Sequence, residues 1–161
     1  MKLISCTIEN FGKLNNVTYD FSGECNTICE DNGWGKSTLA SFIRVMFYGF
    51  KNESKKKLVD KERNRLMPWQ KGVYGGEIVF ETGGVVYSLR RTFGKKQVDD
   101  EFLLVRKDTN VECDDFSCDI GEELFKIDAQ SFERTVFIGQ SDCVTATTDS
   151  INAKIGNLAD N

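Results

Sequence analysis

The fold of this chain is decided by the stretch CNTICEDNGWGKSTLASFIRVMFYGF, residues 25–50. Residues 25–29 are short and apolar, which is typical of a buried strand, and a glycine-containing turn follows them. From Ser37 onward the apolar residues recur with the spacing of one helix face, and Gly49 is expected to end the helix in a left-handed αL conformation. The residues of that face are Leu39, Phe42, Ile43, Met46, Phe47 and Phe50.

The order strand, glycine turn and helix is the arrangement that a phosphate-binding loop requires. Successive backbone N–H groups must converge on one oxygen-rich centre, and the positive end of the helix dipole lies at the same place. Gly33 and Gly35 let the backbone approach phosphate without a Cβ in the way, and Trp34 contributes the amide between them. The stretch therefore predicts a site for the phosphates of a nucleotide.

The three residues after Gly35 carry the side chains of this predicted site. We expect the Lys36 ammonium to reach the β- and γ-phosphates of the nucleotide and to serve catalysis. The Ser37 hydroxyl would complete the shell of a Mg²⁺ ion that bridges these phosphates, and Thr38 would assist through its N–H and hydroxyl.

Glu30 occupies the position where the usual pattern G-x-x-x-x-G-K-[ST] has glycine. A residue other than glycine is acceptable there if its φ is negative. Its carboxylate is unfavourable near a triphosphate, so we expect the side chain to point to solvent or to pair with a lysine. Weaker binding is a possible consequence, whereas loss of binding is not required.

Composition limits the class of protein. With 161 residues, 40% of them hydrophobic, the chain can bury one core, and no apolar run approaches the length of a membrane helix. We therefore expect a cytoplasmic protein with no membrane partner. The six cysteines match no metal-binding spacing, and histidine is absent, so buried or idle free thiols are expected.

The charge of −4 argues against a strongly basic nucleic-acid binder, but it is unevenly distributed. Residues 1–98 hold 16 Lys and Arg against 10 Asp and Glu, and residues 99–161 hold 5 against 15. The densest basic stretch, residues 51–66, is read as a solvated loop that could also contact phosphates.

The remaining elements follow from alternation and turn residues. KLISCTIENF and NVTYDF alternate as strands, so with residues 25–30 three strands are expected to lead into the loop. GEIVFETGGVVYSLRRTF reads as a hairpin turning at Gly83 and Gly84, and EFLLVRKDTNVEC as a further strand with a turn at residues 108–110. GEELFKIDAQSFERT predicts helical pieces, VFIG a short strand, and residues 149–161 a final helix capped by Asp149 or Ser150.

Residues 1–50 resemble the N-terminal end of the SMC-like branch of ABC-type ATPases, the SbcC, RecN and RecF group. They are most similar to the bacterial AAA-like proteins of that branch that carry N-G-W-G-K-S-T-L. The resemblance continues through MPW, YGGEIVF, YSLRRTFG and SFERTVFIGQ, so it covers nearly the whole chain. It implies an α/β fold: the N-terminal lobe of a P-loop NTPase, with a mixed sheet around the P-loop helix and an antiparallel β meander.

The resemblance also implies roles for residues outside the glycine loop. Gln140 matches the Q-loop glutamine, which would act at Mg²⁺ and the attacking water. Asn32 matches the loop asparagine of the family, and Lys13 lies where related proteins approach the phosphates. Arg63 and Arg65 are weaker candidates for the same role.

Several sequence motifs that nucleotide hydrolysis requires are missing from the sequence. Phosphoryl transfer needs a metal-holding Asp and a Glu that orients water, normally after four apolar residues. Neither Asp108 nor Asp142 follows such a run, although Asp142 could be a disguised metal ligand, and no L-S-G-G-Q-like signature is present. In the family these elements lie in a C-terminal lobe after a long coiled coil.

We therefore expect residues 1–161 to be the N-terminal lobe of an ATPase head, a fragment whose residues 149–161 lead toward the coiled coil. The resemblance implies that the parent binds ATP, pairs head to head as a homodimer and acts in DNA repair or chromosome maintenance. Two other interpretations stay open. A self-contained P-loop kinase or GTPase would need a lid arginine set or an N-K-x-D motif, and both are absent. A nucleotide-binding interaction module without turnover would need neither.

Overall fold

The computed structural model of the chain describes residues 1–21, 23, 25–50 and 61–137. Across these residues the chain forms one six-stranded sheet in the order β2-β1-β3-β4-β5-β6, together with four α-helices. The strands are β1 Lys2–Phe11, β2 Leu14–Asp20, β3 Gly75–Thr82, β4 Val85–Thr92, β5 Glu101–Arg106 and β6 Val111–Glu112. The helices are α1 Lys36–Tyr48, α2 Glu62–Arg65, α3 Ile120–Phe125 and α4 Ala129–Thr135, and a 3₁₀ turn covers Gln97–Asp99.

The predicted meander is confirmed. Gly83 and Gly84 join β3 to β4 with φ values of 58° and 78°, the left-handed pair that a tight hairpin turn requires. β5 and β6 pair after a turn that ends at Asn110, whose φ is 54°. The chain therefore turns at glycine between β3 and β4 and at asparagine between β5 and β6.

The expectation of a mixed sheet is wrong for the described residues, because every neighbouring pair of strands is antiparallel. The third strand expected before the glycine loop is also absent, since residues 25–30 have no regular secondary structure. Cys25 and Cys29 are exposed, and Ile28 is half-buried. None of the described strands pairs with this segment, and an isolated segment without ladder partners is not stabilised as a strand.

Helix α1 has the predicted apolar face and packs on the side of the sheet formed by β1, β3 and β4. Phe42, Met46 and Phe47 are buried, whereas Ile43 at the edge of the face is half-buried. The helix ends at Gly49 as expected, but with φ 68° and ψ −173° this residue is not αL. Further aromatic rings fill the space between helix and sheet: Phe11, Phe50, Tyr74, Phe80 and Phe93.

Gly76 in β3 allows this close packing. A Cβ at this position would lie 2.1 Å from the backbone oxygen of Thr7 in β1 and 3.1 Å from the Phe42 ring. Both neighbours are fixed by the sheet and the core, so a side chain here has no room. The close approach of β1, β3 and α1 thus depends on glycine.

The helical pieces predicted near the C-terminal end of the described chain are confirmed as α3 and α4. Asp128 caps α4 by accepting a hydrogen bond of 2.7 Å from the Ser131 amide. The short strand predicted after α4 does not begin at Val136 or Phe137, and its remaining residues lie outside the described chain. The predicted helix at residues 149–161 also lies outside it, as do residues 51–60 of the basic stretch.

The described cysteines are free thiols, as expected, but only Cys6 is fully buried. Cys25, Cys29 and Cys118 are exposed free thiols, and Cys113 is half-buried. Burial raises the pKa of the Cys6 thiol to about 12. Since the thiolate is the reactive form, Cys6 should be inert in the native protein.

We expect iodoacetamide at pH 8 to alkylate Cys6 at least about 100-fold more slowly than the exposed cysteines, because both the thiolate fraction and access are reduced. Peptide mass spectrometry of the native protein after timed labelling measures this. Labelling in urea is the control, because it should make Cys6 as reactive as the others. Rapid alkylation of native Cys6 would contradict the burial of its side chain in the core.

No helix in the described part of the chain is both long enough and apolar enough to span a bilayer.

Candidate functional site

The N-terminus of α1 presents free backbone donors. The helix begins at Lys36, and its cap residue Gly35 has φ 126° and makes no side-chain cap. The Leu39 amide donates the first helical bond, 2.8 Å to the Gly35 oxygen. The amides of Lys36, Ser37 and Thr38 precede this bond and have no acceptor within the helix. Three donors thus face outward at the positive end of the helix dipole.

The loop before the helix forms a tight turn although Glu30 replaces the first glycine of the usual pattern. Gly33 has a φ of 83°, and the Trp34 amide donates a 3.2 Å bond to the Asp31 oxygen, which closes a tight turn. Glu30 is not among the described non-glycine residues with positive φ, and its side chain is exposed. Both expectations for Glu30 are therefore confirmed. The carboxylate does not distort the turn.

The Lys36 ammonium lies on its own loop. It donates one hydrogen bond to the Glu30 carbonyl and another of 3.0 Å to the Asp31 carbonyl. An ammonium group has three donors, so one remains for another acceptor while two hold the loop. The side chain is exposed and is not neutralised by a carboxylate in the described residues. Its positive charge is available beside the three free amides.

The turn between β1 and β2 places Lys13 against this loop. A Cβ at Gly35 would lie 3.5 Å from Lys13 Cε and 3.0 Å from Leu14 Cδ2. A Cβ at Gly12 would lie only 2.9 Å from Thr38 Cγ2. The two glycines let the turn and the helix start approach each other, and Lys13 becomes a second exposed cation at the helix N-terminus.

Trp34 is held on the sheet and not on the open side of the loop. Its ring is half-buried and meets the Tyr19 ring of β2 edge to face, with 5.9 Å between centroids. This contact joins the tip of the loop to the edge strand. The indole has a structural role in addition to the predicted contribution of its backbone amide.

A cleft of about 590 Å³ opens beside the helix start. Predicted site residues Lys13, Ser37 and Thr38 line it, and Arg65 also reaches it. Asn32, Gly33, Trp34, Gly35 and Lys36 do not line the cleft, and Gln140 lies outside the described residues. Five further residues that the sequence did not predict for the site also line the cleft: Gly12, Ser41, Leu66, Trp69 and Gln70. The tryptophan of the MPW motif, Trp69, is the sequence feature that could have indicated this side of the cleft.

The structure separates the two arginine candidates. Arg65 is exposed at the cleft, with a 3.7 Å contact to Glu62. Arg63 is buried, and its Nη1 and Nη2 donate hydrogen bonds of 2.6 and 2.7 Å to the two carboxylate oxygens of Asp100. Its guanidinium also lies over the Phe50 ring, 4.7 Å from the centroid. The candidate role of Arg63 at the phosphates is therefore wrong, since its donors are engaged in the core.

Comparison with known proteins gives the class of this chain. A family model described as an AAA domain matches residues 5–160. The chain belongs to this family. Domains of this type are nucleotide-binding ATPase domains, in agreement with the free amides and lysines at the start of α1.

A relative is the uncharacterized protein YhaN of Bacillus subtilis (strain 168). The two are 35% identical over 82 residues, which is 50% of this chain and 8% of YhaN. The chain thus spans only a small part of the length of that relative.

Proposed function

We propose that the chain binds ATP with Mg²⁺ at the N-terminus of α1. The observation that carries the proposal is the set of three free amides at Lys36, Ser37 and Thr38, beside a cleft of suitable size. Small-molecule sites typically have volumes of about 300–1,000 Å³, and a helix N-terminus with free amides is a ready anion site. Asn32 and the amides of the glycine loop would complete the phosphate cradle.

Charge complements these donors. Lys36 and Lys13 are both exposed at the helix start, where they would neutralise the β- and γ-phosphates. Lys36 keeps one donor free for phosphate, and its bonds to the carbonyls of residues 30 and 31 exchange readily for stronger bonds to an anion. This lysine would thereby stabilise the charge that develops on the phosphates.

The residues present also fit a magnesium ion. Mg²⁺ prefers oxygen ligands, keeps several waters and is bound through few protein groups together with the phosphates of its substrate. The exposed Ser37 hydroxyl lines the cleft at this point. Ser37 would hold the ion, and Gln140 would be its second protein ligand. When bound, Mg²⁺ supplies charge neutralisation at the β- and γ-phosphates.

In the proposal, residues 1–161 are the N-terminal lobe of a longer, cytoplasmic ATPase. Its C-terminal lobe would supply the acidic residues for hydrolysis and the surface for head-to-head pairing, with DNA as a partner of the assembled protein. Membership of the AAA domain family and the small share of YhaN that is matched support this arrangement. ATP binding would join two heads, and hydrolysis would release them.

A binding module without turnover is the second candidate, at least for the chain by itself. The described residues that line the cleft include no Asp or Glu. Without a carboxylate to orient water, the positioned phosphates have no partner for hydrolysis. We expect the 161-residue chain to release phosphate at near the background rate, and a robust rate would show that the chain holds an acidic partner of its own.

ATP with Mg²⁺ should raise the melting temperature of the chain by about 5–10 °C at 100 times Kd. Binding to the folded state alone contributes about 2.7 kcal/mol at that concentration, and 1 kcal/mol corresponds to about 2–4 °C at this size. Differential scanning fluorimetry measures the shift. Adenosine with Mg²⁺ is the control, because it lacks the phosphates and should have little effect. An unchanged melting curve with ATP would contradict the site.

A further inference from the structure

The cleft wall opposite the helix start carries an unusual side chain. Trp69 is 97% exposed, more than any other large hydrophobic residue in the described chain, although it lines the cleft. Leaving an indole in water forgoes the burial of about 150–250 Å² that such a ring usually gains. A ring of this size at the rim of a cleft is therefore a candidate contact for a ligand.

The segment that carries Trp69 is anchored at both ends. Gly12 in the β1–β2 turn donates a 2.6 Å hydrogen bond to the Leu66 oxygen. Asn10 at the end of β1 donates a 3.1 Å bond to the Val73 oxygen. These contacts attach both ends of residues 66–73 to the part of the sheet that carries Lys13. The position of Trp69 relative to the start of α1 is consequently set by the fold.

The two walls of the cleft differ in chemistry. Ser37, Thr38 and Ser41 of α1 form the wall that continues from the free amides, and this wall suits phosphate. The other wall offers the indole of Trp69 with the side chains of Arg65 and Gln70. An aromatic face suits a planar base, because every nucleobase has a π-face and stacking on an aromatic ring contributes substantially to affinity.

We propose that Trp69 stacks on the base of a purine nucleoside triphosphate whose phosphates lie at the N-terminus of α1. This inference rests on the proposed function, since the phosphates set where the base lies. Stacking area favours the larger purine rings over pyrimidines. Stacking does not distinguish the hydrogen-bonding groups on the edges of the bases. ATP and GTP should therefore bind with affinities within about threefold of each other, and both should bind more tightly than CTP.

The test separates the base from the phosphates. Isothermal titration of the 161-residue chain with Mg²⁺ and either ATP or inorganic tripolyphosphate gives two affinities for each variant. Trp69→Ala should weaken ATP binding about tenfold and leave tripolyphosphate binding unchanged. Trp69→Phe, which keeps an aromatic face, should retain most of the affinity for ATP. Val98→Ala is the matched control, because Val98 is an 86% exposed apolar residue outside the cleft.

A spectroscopic signal checks the same contact directly. The chain has two tryptophans, so in a Trp34→Phe background Trp69 alone emits. Stacking of a base should quench this emission when ATP is added, whereas tripolyphosphate should leave it unchanged.

The outcomes are distinguishable. If Trp69→Ala binds ATP within twofold of the parent chain, the stacking proposal is overturned while the phosphate site stands. If the parent chain self-associates in sedimentation velocity and Trp69→Ala does not, Trp69 belongs to a contact between proteins and the stacking proposal is overturned. If the parent chain binds neither ATP nor tripolyphosphate, the proposed function itself fails.

Discussion

Lys36→Ala is expected to abolish the rise in melting temperature that ATP with Mg²⁺ produces and to weaken ATP binding at least about 100-fold. The variant removes the ammonium that lies beside the three free amides of α1. Hydrogen bonds to charged groups contribute about 1.5–3 kcal/mol each, and about 2.7 kcal/mol corresponds to 100-fold in Kd. Titration calorimetry of the variant and the parent chain measures the difference.

The effect should be confined to binding. Lys36 is exposed, and among the described residues its ammonium bonds to two carbonyls of its own loop. Its loss should therefore change the free energy of unfolding without ligand by about 0.5 kcal/mol or less. Lys95→Ala removes another exposed lysine that does not line the cleft and is the matched control. Equal ATP affinities for Lys36→Ala and Lys95→Ala would show that the loop is not the nucleotide site.

Arg63→Met is expected to destabilise the folded chain by about 3–5 kcal/mol. The side chains of Arg63 and Asp100 are 5% and 16% exposed and are joined by two hydrogen bonds. Arg63 also donates a 3.0 Å bond to the Gly94 oxygen and lies over the Phe50 ring. Breaking such a pair from one side leaves a buried carboxylate without its cation, which typically costs this amount. Urea denaturation followed by circular dichroism measures the loss.

A double variant shows whether the uncompensated charge is the cause. Arg63→Met with Asp100→Asn removes both charges, so it should recover a substantial part of the stability that Arg63→Met loses. Arg65→Met is the control from the same short helix, because Arg65 is exposed and its side chain makes, within the described part of the chain, a single ion-pair contact of 3.7 Å to Glu62. A loss below about 1 kcal/mol for Arg63→Met would mean that this pair does not anchor α2 to the segment between β4 and β5.

The local elements of the fold could be predicted from the sequence because each depends on neighbouring residues. The apolar period after Ser37 defined the buried face of α1, and Gly83–Gly84 defined the hairpin turn. The glycine loop with Lys36, Ser37 and Thr38 was recognised from spacing and from family resemblance. Its backbone conformation depends on φ values that Gly33 and Gly35 adopt without strain.

The strand expected at residues 25–29 does not form, and the reason lies outside the segment. Its apolar residues fit a strand, but a strand forms only where neighbouring chain satisfies its backbone groups. Sequence pattern reports the preference of a segment and not the presence of that neighbour. The described sheet places β1 between β2 and β3 and leaves residues 25–30 unpaired.

By itself, the sequence determined the positions of the glycine-containing loop, of the helix that follows it and of the turns of the meander, because these depend on contacts a few residues apart. Only the tertiary structure decided which side chains reach the cleft. Arg63 and Arg65 lie two residues apart in α2, yet one is paired with Asp100 in the core and the other faces the cleft. Trp69 is brought beside the helix start by two hydrogen bonds to residues more than fifty positions later, one from the Gly12 amide in the β1–β2 turn and one from the Asn10 side chain. Such contacts join distant parts of the chain, and no local pattern of residues encodes them.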